Sequence, residues 1–311
     1  MRVAVTGLGL IGGSAALALA GAGHDVIGHD PDPATRAAAA AHFAVTADPA
    51  DLLDADVAVV AAPVRHLDAV AASLAGFRGL VTDVASVKAD ARRAFAALPR
   101  FVGGHPMAGK ETAGFASAEP DLFRDRVWVL CLEADTDLGD WLLLARLWTA
   151  VGARVVPATA AAHDAAAARI SHLEHLVAAA LVHTAADPLS QALAAGSYRD
   201  GTRVAAAQTM LFTGMVEGNR AELLAALDAF GAQLDEARRA VDADRDRPEA
   251  AAGWFDRARA VRAAWPPAPG EPERVALTRE ALLDLGAAGG WVEAVESEVA
   301  IGRRPRVQST S

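Results

Sequence analysis

The segment RVAVTGLGLIGGS at positions 2–14 constrains the fold of this chain more than any other stretch. A short apolar run leads into Gly7, Gly9 and Gly12, spaced as G-x-G-x-x-G, and the helix-prone SAALALAGAG follows at once. In a strand–turn–helix unit the first glycine permits a tight turn, the second lets backbone approach a pyrophosphate, and the third lets helix and strand pack closely. The helix start, with Leu10 and Ile11, then offers unpaired N–H groups and a partial positive charge to phosphate. With 26 glycines among 311 residues the spacing alone carries little weight, so its surroundings decide. HDVIGHD reads as a second strand ending on Asp30, about 23 residues after Gly7. An acidic side chain there hydrogen-bonds the ribose hydroxyls of NAD. The same carboxylate would repel a 2′-phosphate, so NAD is expected over NADP, with nearby Arg36 softening that preference.

The rest of the first half repeats the alternation. ADVAVVAAP, GLVTDVAS and FVGGHP read as strands, and PATRAAAAAHFA, RHLDAVAASLAG and KADARRAFAAL as helices. Continuous apolar strands imply a sheet buried on both faces. The order βαβαβ implies an α/β, doubly wound parallel sheet of Rossmann type. After VWVLCLE, WLLLARLWTAVG and ARVVPAT the character becomes all-helical, beginning with the long run HDAAAARISHLEHLVAAALVHTAA and interrupted by a polar break, GSYRDGTR. WPPAPGEP at 265–272 reads as a linker, and the tail from about Arg303 as disordered. The expected division is an NAD-binding domain over 1–160, a helical substrate domain over 161–285, and a short, partly disordered extension over 286–311.

Composition narrows the partners. A net charge of −10 disfavours nucleic acid and anionic membrane, both of which select a basic face. The single cysteine, Cys131, excludes an internal disulfide and fits a reducing compartment. The N-terminus is a strand and turn rather than a signal peptide, and LVAAALVHTAA is too short to span a bilayer. A cytoplasmic protein acting on a small molecule is the expectation.

In open parallel sheets ligands bind beyond the C-terminal strand ends. There AAPV (61–64) places Ala62 and Pro63 along the nicotinamide path, and TDVASVK places Ser86 and Lys88. GGHPMAGKETAG sets His105 at the next strand end among glycines, a poor place for a core residue. Hydride transfer from an alcohol needs a group to take the hydroxyl proton, and histidine titrates in the right range. In the helical half His172 and His175 share a helix face; without further ligands at metal spacing a metal site is not expected, although His172 is a candidate for the cleft. His163 and Asp164 read as a helix N-terminal feature. Arg199 and Arg203 form a candidate anion clamp, since guanidinium grips carboxylate bidentately.

Taken together, VTGLGLIGGS, TDVASVK, GGHPMAGKETAG, HDAAAARISHLEH and GSYRDGTRVA resemble the prephenate/arogenate dehydrogenases of tyrosine biosynthesis, in order from residue 1 to about 220. The resemblance implies NAD-dependent oxidative decarboxylation of prephenate or arogenate. It implies that His105 takes the ring-hydroxyl proton, Ser86 orients that histidine, and Arg203 binds a carboxylate. His172 becomes a substrate-site histidine of S-H-L-x-H, and Glu111 a gating acid. It also implies a homodimer built through the helical domain. The chain departs from the family at Glu174, where many members have proline, at AAQTM after the arginine motif, and at Phe212 in place of tryptophan. These positions bear on substrate choice. No chorismate mutase segment is expected before the cofactor domain, and no clear ACT-type domain is expected after it. Three other readings compete: a dehydrogenase of a 4-amino-4-deoxyprephenate-type analogue, a 6-phosphogluconate/3-hydroxyisobutyrate-type dehydrogenase, and a catalytically dead NAD sensor.

Overall fold

The computed structural model describes residues 1–110, 112–206, 209–245, 247 and 249–306. The chain forms two compact units, one of Met1–His163 with Pro269–Ser311 and one of Asp164–Ala268.

The first unit opens with β1 (Arg2–Thr6), α1 (Leu10–Gly21), β2 (Asp25–His29), α2 (Pro33–Ala39), β3 (Ala44–Thr46), β4 (Val57–Val60), α3 (Leu67–Ser73), β5 (Leu80–Asp83), α4 (Lys88–Ala94) and β6 (Phe101–Val102). Its strands form a parallel sheet of order β3-β2-β1-β4-β5-β6, the doubly wound arrangement expected. Side chains alternate faces along each strand. Val3, Val5, Val57, Val59 and Leu80 enter one core, and Ala4, Ala58, Val60 and Val81 another, which is why these strands read as unbroken apolar runs.

Directly after β6 the chain changes sheets. β7 (Gly104–Pro106), β8 (Val127–Cys131), α5 (Leu138–Ala150) and β9 (Arg154–Ala158) begin a second, mixed sheet, which β10 (Pro269–Ala276), β11 (Trp291–Val295) and β12 (Val299–Pro305) complete in the order β10-β12-β11-β9-β8-β7. Trp128 and Trp148 stack at 3.7 Å between ring centres beneath it, and both are fully buried.

Three of that sheet's strands come from the C-terminal segment, which corrects the expected boundary at 285/286 and the reading of residues 303–306 as disordered. The chain re-enters the first unit as β10 (Pro269–Ala276), α13 (Arg279–Ala287), β11 (Trp291–Val295) and β12 (Val299–Pro305). Pro269 and Pro272, read as linker, sit in β10, an edge strand where a missing N–H costs no ladder bond. Arg303 lies within β12 opposite Trp291, its guanidinium bound to Glu293 and the Gly270 carbonyl. That guanidinium holds the Glu293 carboxyl below its ordinary value.

The second unit is helical. α6 (Ala160–Ala167) runs through a π-helical turn at Ala168–His172 into α7 (Leu173–Thr184), followed by α8 (Pro188–Leu193), α9 (Gly196–Thr202), α10 (Thr209–Gly218), α11 (Arg220–Ala243) and α12 (Ala250–Ala263). GSYRDGT, expected as a break, is therefore α9, a short helix with glycine near each end. Ala160–Thr184 is a single 25-residue run whose length and composition would suffice to cross a bilayer, although LVAAALVHTAA within it reads as too short to do so. His163, Asp164 and His172 along it are buried polar residues, with uses inside the protein described below.

Candidate active site

The glycine loop has the geometry of a phosphate cradle. Gly7 has φ +87°, and a Cβ there would lie 2.6 Å from the Ala61 carbonyl oxygen. A Cβ on Gly12 would lie 1.9 Å from the Gly7 carbonyl oxygen. A Cβ on Gly9 would meet no atom within 4 Å, so the open side of the loop is at Gly9, the N-cap of α1. No side chain caps that helix, which leaves its first N–H groups, including those of half-buried Leu10 and Ile11, to an incoming anion. Asp30 closes the cradle: one carboxylate oxygen accepts from Leu8 N at 2.8 Å and the other from Asp32 N at 2.9 Å. Arg36 reaches back to the carbonyls of Asp30 and Pro31 at 2.6 and 3.0 Å, so its charge is anchored to the main chain. Ala62 and Pro63 follow β4 beside the loop, Ala61 N donating to the Thr6 carbonyl at 2.7 Å. These residues fit a dinucleotide: open glycine, uncapped helix and acidic strand end converge on one edge of the sheet.

The next strand ends carry the candidate chemical groups. Ser86 stands half-buried in the turn after β5. Lys88, expected as a substrate contact, is 1 % exposed, and its ammonium binds Asp83 and the Gly104 carbonyl. So enclosed, its ammonium is committed to the Asp83 carboxylate and the Gly104 main chain. Asp83, itself fully buried, also accepts from Ala85 N at 2.9 Å and Gly104 N at 3.1 Å. The ion pair thus grips both peptide groups of Gly104, where the chain crosses from one sheet to the other. Only glycine fits there, because a Cβ would lie 2.7 Å from the Asp83 carbonyl oxygen.

His105 follows immediately, paired with Val129 across β7 and β8. Its Nδ1 lies 2.8 Å from Nε2 of His163. The sequence reading missed His163 by treating it as a helix start. The available signal was Thr159, four residues earlier, whose hydroxyl accepts from Ala162 N and marks the true N-terminus.

In the second unit His172 is buried, with Nδ1 3.3 Å from the Asn219 amide nitrogen, and Asn219 also donates to the Asp164 carbonyl at 2.8 Å. The π-helical turn sets His172 in that position; Asn219 carried no sequence signal. His172 and His175 line an apolar cavity of about 170 Å³ with Leu176, Met215 and Leu223. Arg199 is 80 % exposed and paired with neighbouring Asp200 at 3.2 Å, a solvated surface pair rather than a clamp member in this structure. Arg203 begins a 3-10 turn after α9 and is exposed. Glu111, Gln208 and the Phe212 side chain lie outside the described residues. Among those described, no group of three or more His, Cys, Asp or Glu is placed to hold a metal.

A Rossmann sheet with a dinucleotide cradle, a histidine beyond its strand ends and a helical second unit define a nicotinamide-dependent dehydrogenase. Comparison with known proteins narrows the class. Residues 15–157 match the family model of the prephenate dehydrogenase nucleotide-binding domain, and residues 159–253 that of the prephenate dehydrogenase dimerization domain. The prephenate dehydrogenase of Bacillus subtilis is 33 % identical over 260 residues, 77 % of this chain and 70 % of its own. Synechocystis arogenate dehydrogenase superposes with a TM-score of 0.77 at 29 % identity, covering 85 % of this chain and all of that one. The Aquifex aeolicus prephenate dehydrogenase, solved with hydroxyphenyl propionate and NAD+, superposes with the same TM-score at 26 % identity, covering 85 % and 97 %. The chain belongs to the prephenate dehydrogenase family.

Proposed function

We propose that this protein catalyses the NAD-dependent oxidative decarboxylation of prephenate or arogenate in tyrosine biosynthesis. The observation that carries the reading is His105, set beyond the strand ends of a nucleotide-binding sheet with its main chain gripped by the Asp83–Lys88 pair and its ring engaged by a second histidine. Bound NAD would supply the hydride acceptor, held by the Gly7–Gly12 loop and Asp30. The protein's own part is to position the ring substrate, take one proton and keep the carboxylates bound, since loss of CO2 and aromatisation supply the driving force. His105 takes the hydroxyl proton and returns it to the phenolate left by loss of CO2. Ser86 orients that exchange, and Arg203 and His172 hold the substrate's polar groups, with Glu111 gating access.

NAD is favoured over NADP because the Asp30 carboxylate occupies the position a 2′-phosphate would approach, while Arg36 is committed to main-chain carbonyls. The matched dimerization domain, with exposed Leu189, Leu193, Leu234 and Phe255 on the second unit, supports a homodimer. A reduced, buried Cys131 is in keeping with work in the cytoplasm.

Reduced cofactor formation, followed with prephenate, arogenate and the 4-amino analogue in turn and with NAD and NADP, tests the assignment. We expect turnover with prephenate or arogenate and NAD; a protein inert to all three substrates would remove the reading. His105→Ala should lower kcat by about 10²–10⁴-fold with NAD affinity unchanged. Near-normal turnover in that variant would take the proton transfer away from His105.

A further inference from the structure

We propose that His163 is a positioning residue for His105. By accepting a hydrogen bond from His105 Nδ1–H, it holds that ring in the tautomer whose Nε2 carries the lone pair. The inference rests on the proton-acceptor role of His105 given above.

The two rings meet edge to face, with centroids 5.0 Å apart and planes at 75°, and the facing nitrogens are 2.8 Å apart. That is a hydrogen-bonding distance, so one nitrogen donates and the other accepts. If His163 donated from Nε2, neutral His105 would carry its own proton on Nε2 and would present a donor to the substrate hydroxyl. It could not then take that proton. If His105 donates from Nδ1, its Nε2 is the acceptor the reaction needs. Which nitrogen of a histidine is protonated is set by the hydrogen bond its other nitrogen makes.

The main chain beneath each ring is held firmly. His105 is fixed by the β7–β8 ladder and by the Asp83–Lys88 grip on Gly104. His163 is 5 % exposed in the first turn of α6, its N–H donating to the Thr159 carbonyl at 2.9 Å. That turn is capped by the Thr159 hydroxyl on Ala162 N and by the Glu133 carboxylate on Ala160 N, at 3.1 and 2.5 Å. The two main chains cannot separate without breaking a cap or a ladder.

The pairing also favours the charged state formed during turnover. As hydride leaves the ring carbon, the hydroxyl proton passes to His105 Nε2 and the O–H electron pair forms a carbonyl. The imidazolium then donates Nδ1–H to His163 as a charge-assisted bond, stronger than the neutral one. Loss of CO2 returns an electron pair to the ring, and the resulting phenolate takes the proton back. His163 itself gains and loses none.

The test uses the full-length protein labelled with nitrogen-15 in histidine, observed where the imidazoles are neutral, with the His105 signals identified by their loss in His105→Ala. We expect His105 to carry its proton on Nδ1; a ring protonated on Nε2 would overturn the proposal without any variant. His163→Phe keeps the ring volume and removes the acceptor, and should lower kcat about 100-fold with KM and NAD affinity near wild type. His163→Gln, whose amide oxygen can accept the same N–H, should recover most of that loss. Wild-type kcat in the Phe variant, or equal loss in both, would mark His163 as packing only. A protein that turns over none of the three substrates yet carries the Nδ1 proton would sink the assigned reaction and still support the pairing.

Discussion

Lys88 is the residue whose role the tertiary structure changed most. As a basic side chain after a strand end it reads as a substrate contact, yet its ammonium is enclosed with Asp83 against Gly104. Breaking a buried pair from one side strands the other charge, which costs about 3–5 kcal/mol. Lys88→Met should therefore lower thermal stability by that order, and adding Asp83→Asn should recover part of it; thermal denaturation of the single and double variants reads both. Equal melting temperatures for wild type and Lys88→Met would refute the clamp. Asp30 shows the opposite case. Its spacing from Gly7 was legible in one dimension because the β1–α1–β2 unit has a nearly invariant length. His163 was not legible, because its partner is 58 residues away and only the sheet crossing after β6 brings them together.

At the scale of elements, the β1–loop–α1 unit separates two uses of glycine. Gly12 is needed for packing, since its Cβ would enter the Gly7 carbonyl and press on Ala61, whereas Gly9 faces open space. Gly12→Ala should destabilise the fold by about 1–3 kcal/mol. Gly9→Ala should leave stability within about 0.5 kcal/mol while weakening NAD at least about tenfold. Chemical denaturation and cofactor titration of the two variants distinguish these effects, and unaltered NAD affinity in Gly9→Ala would remove the cradle. The Ala160–Thr184 run makes a related point. Periodicity identified a long helix, but not the π-helical turn at Ala168–His172 that sets His172 against Asn219. A π-helical turn depends on packing that no local residue preference encodes.

At the scale of the whole molecule, the chain leaves its first unit at Asp164 and returns at Pro269. Val275, Leu282, Leu285, Val292 and Ala300 of the returning segment enter the same core as Trp128 and Trp148. Ending the chain at Ala268 should leave β9 as a bare edge and yield insoluble or largely unfolded protein, read by recovery and near-ultraviolet circular dichroism. A soluble, cooperatively folding truncation would show the returning strands to be dispensable. By itself the sequence determined the Rossmann half and placed Gly7, Gly9, Gly12, Asp30 and His105 at or beyond its strand ends. Those depend on local turns, strand alternation and spacings a few residues long. The second sheet, the burial of Lys88 and the His105–His163 pair were decided only by tertiary structure. Each needs segments far apart in the chain to meet; β7 has only three residues and β10, though eight long, is broken by prolines and charges, so neither carries enough local pattern to announce its partner.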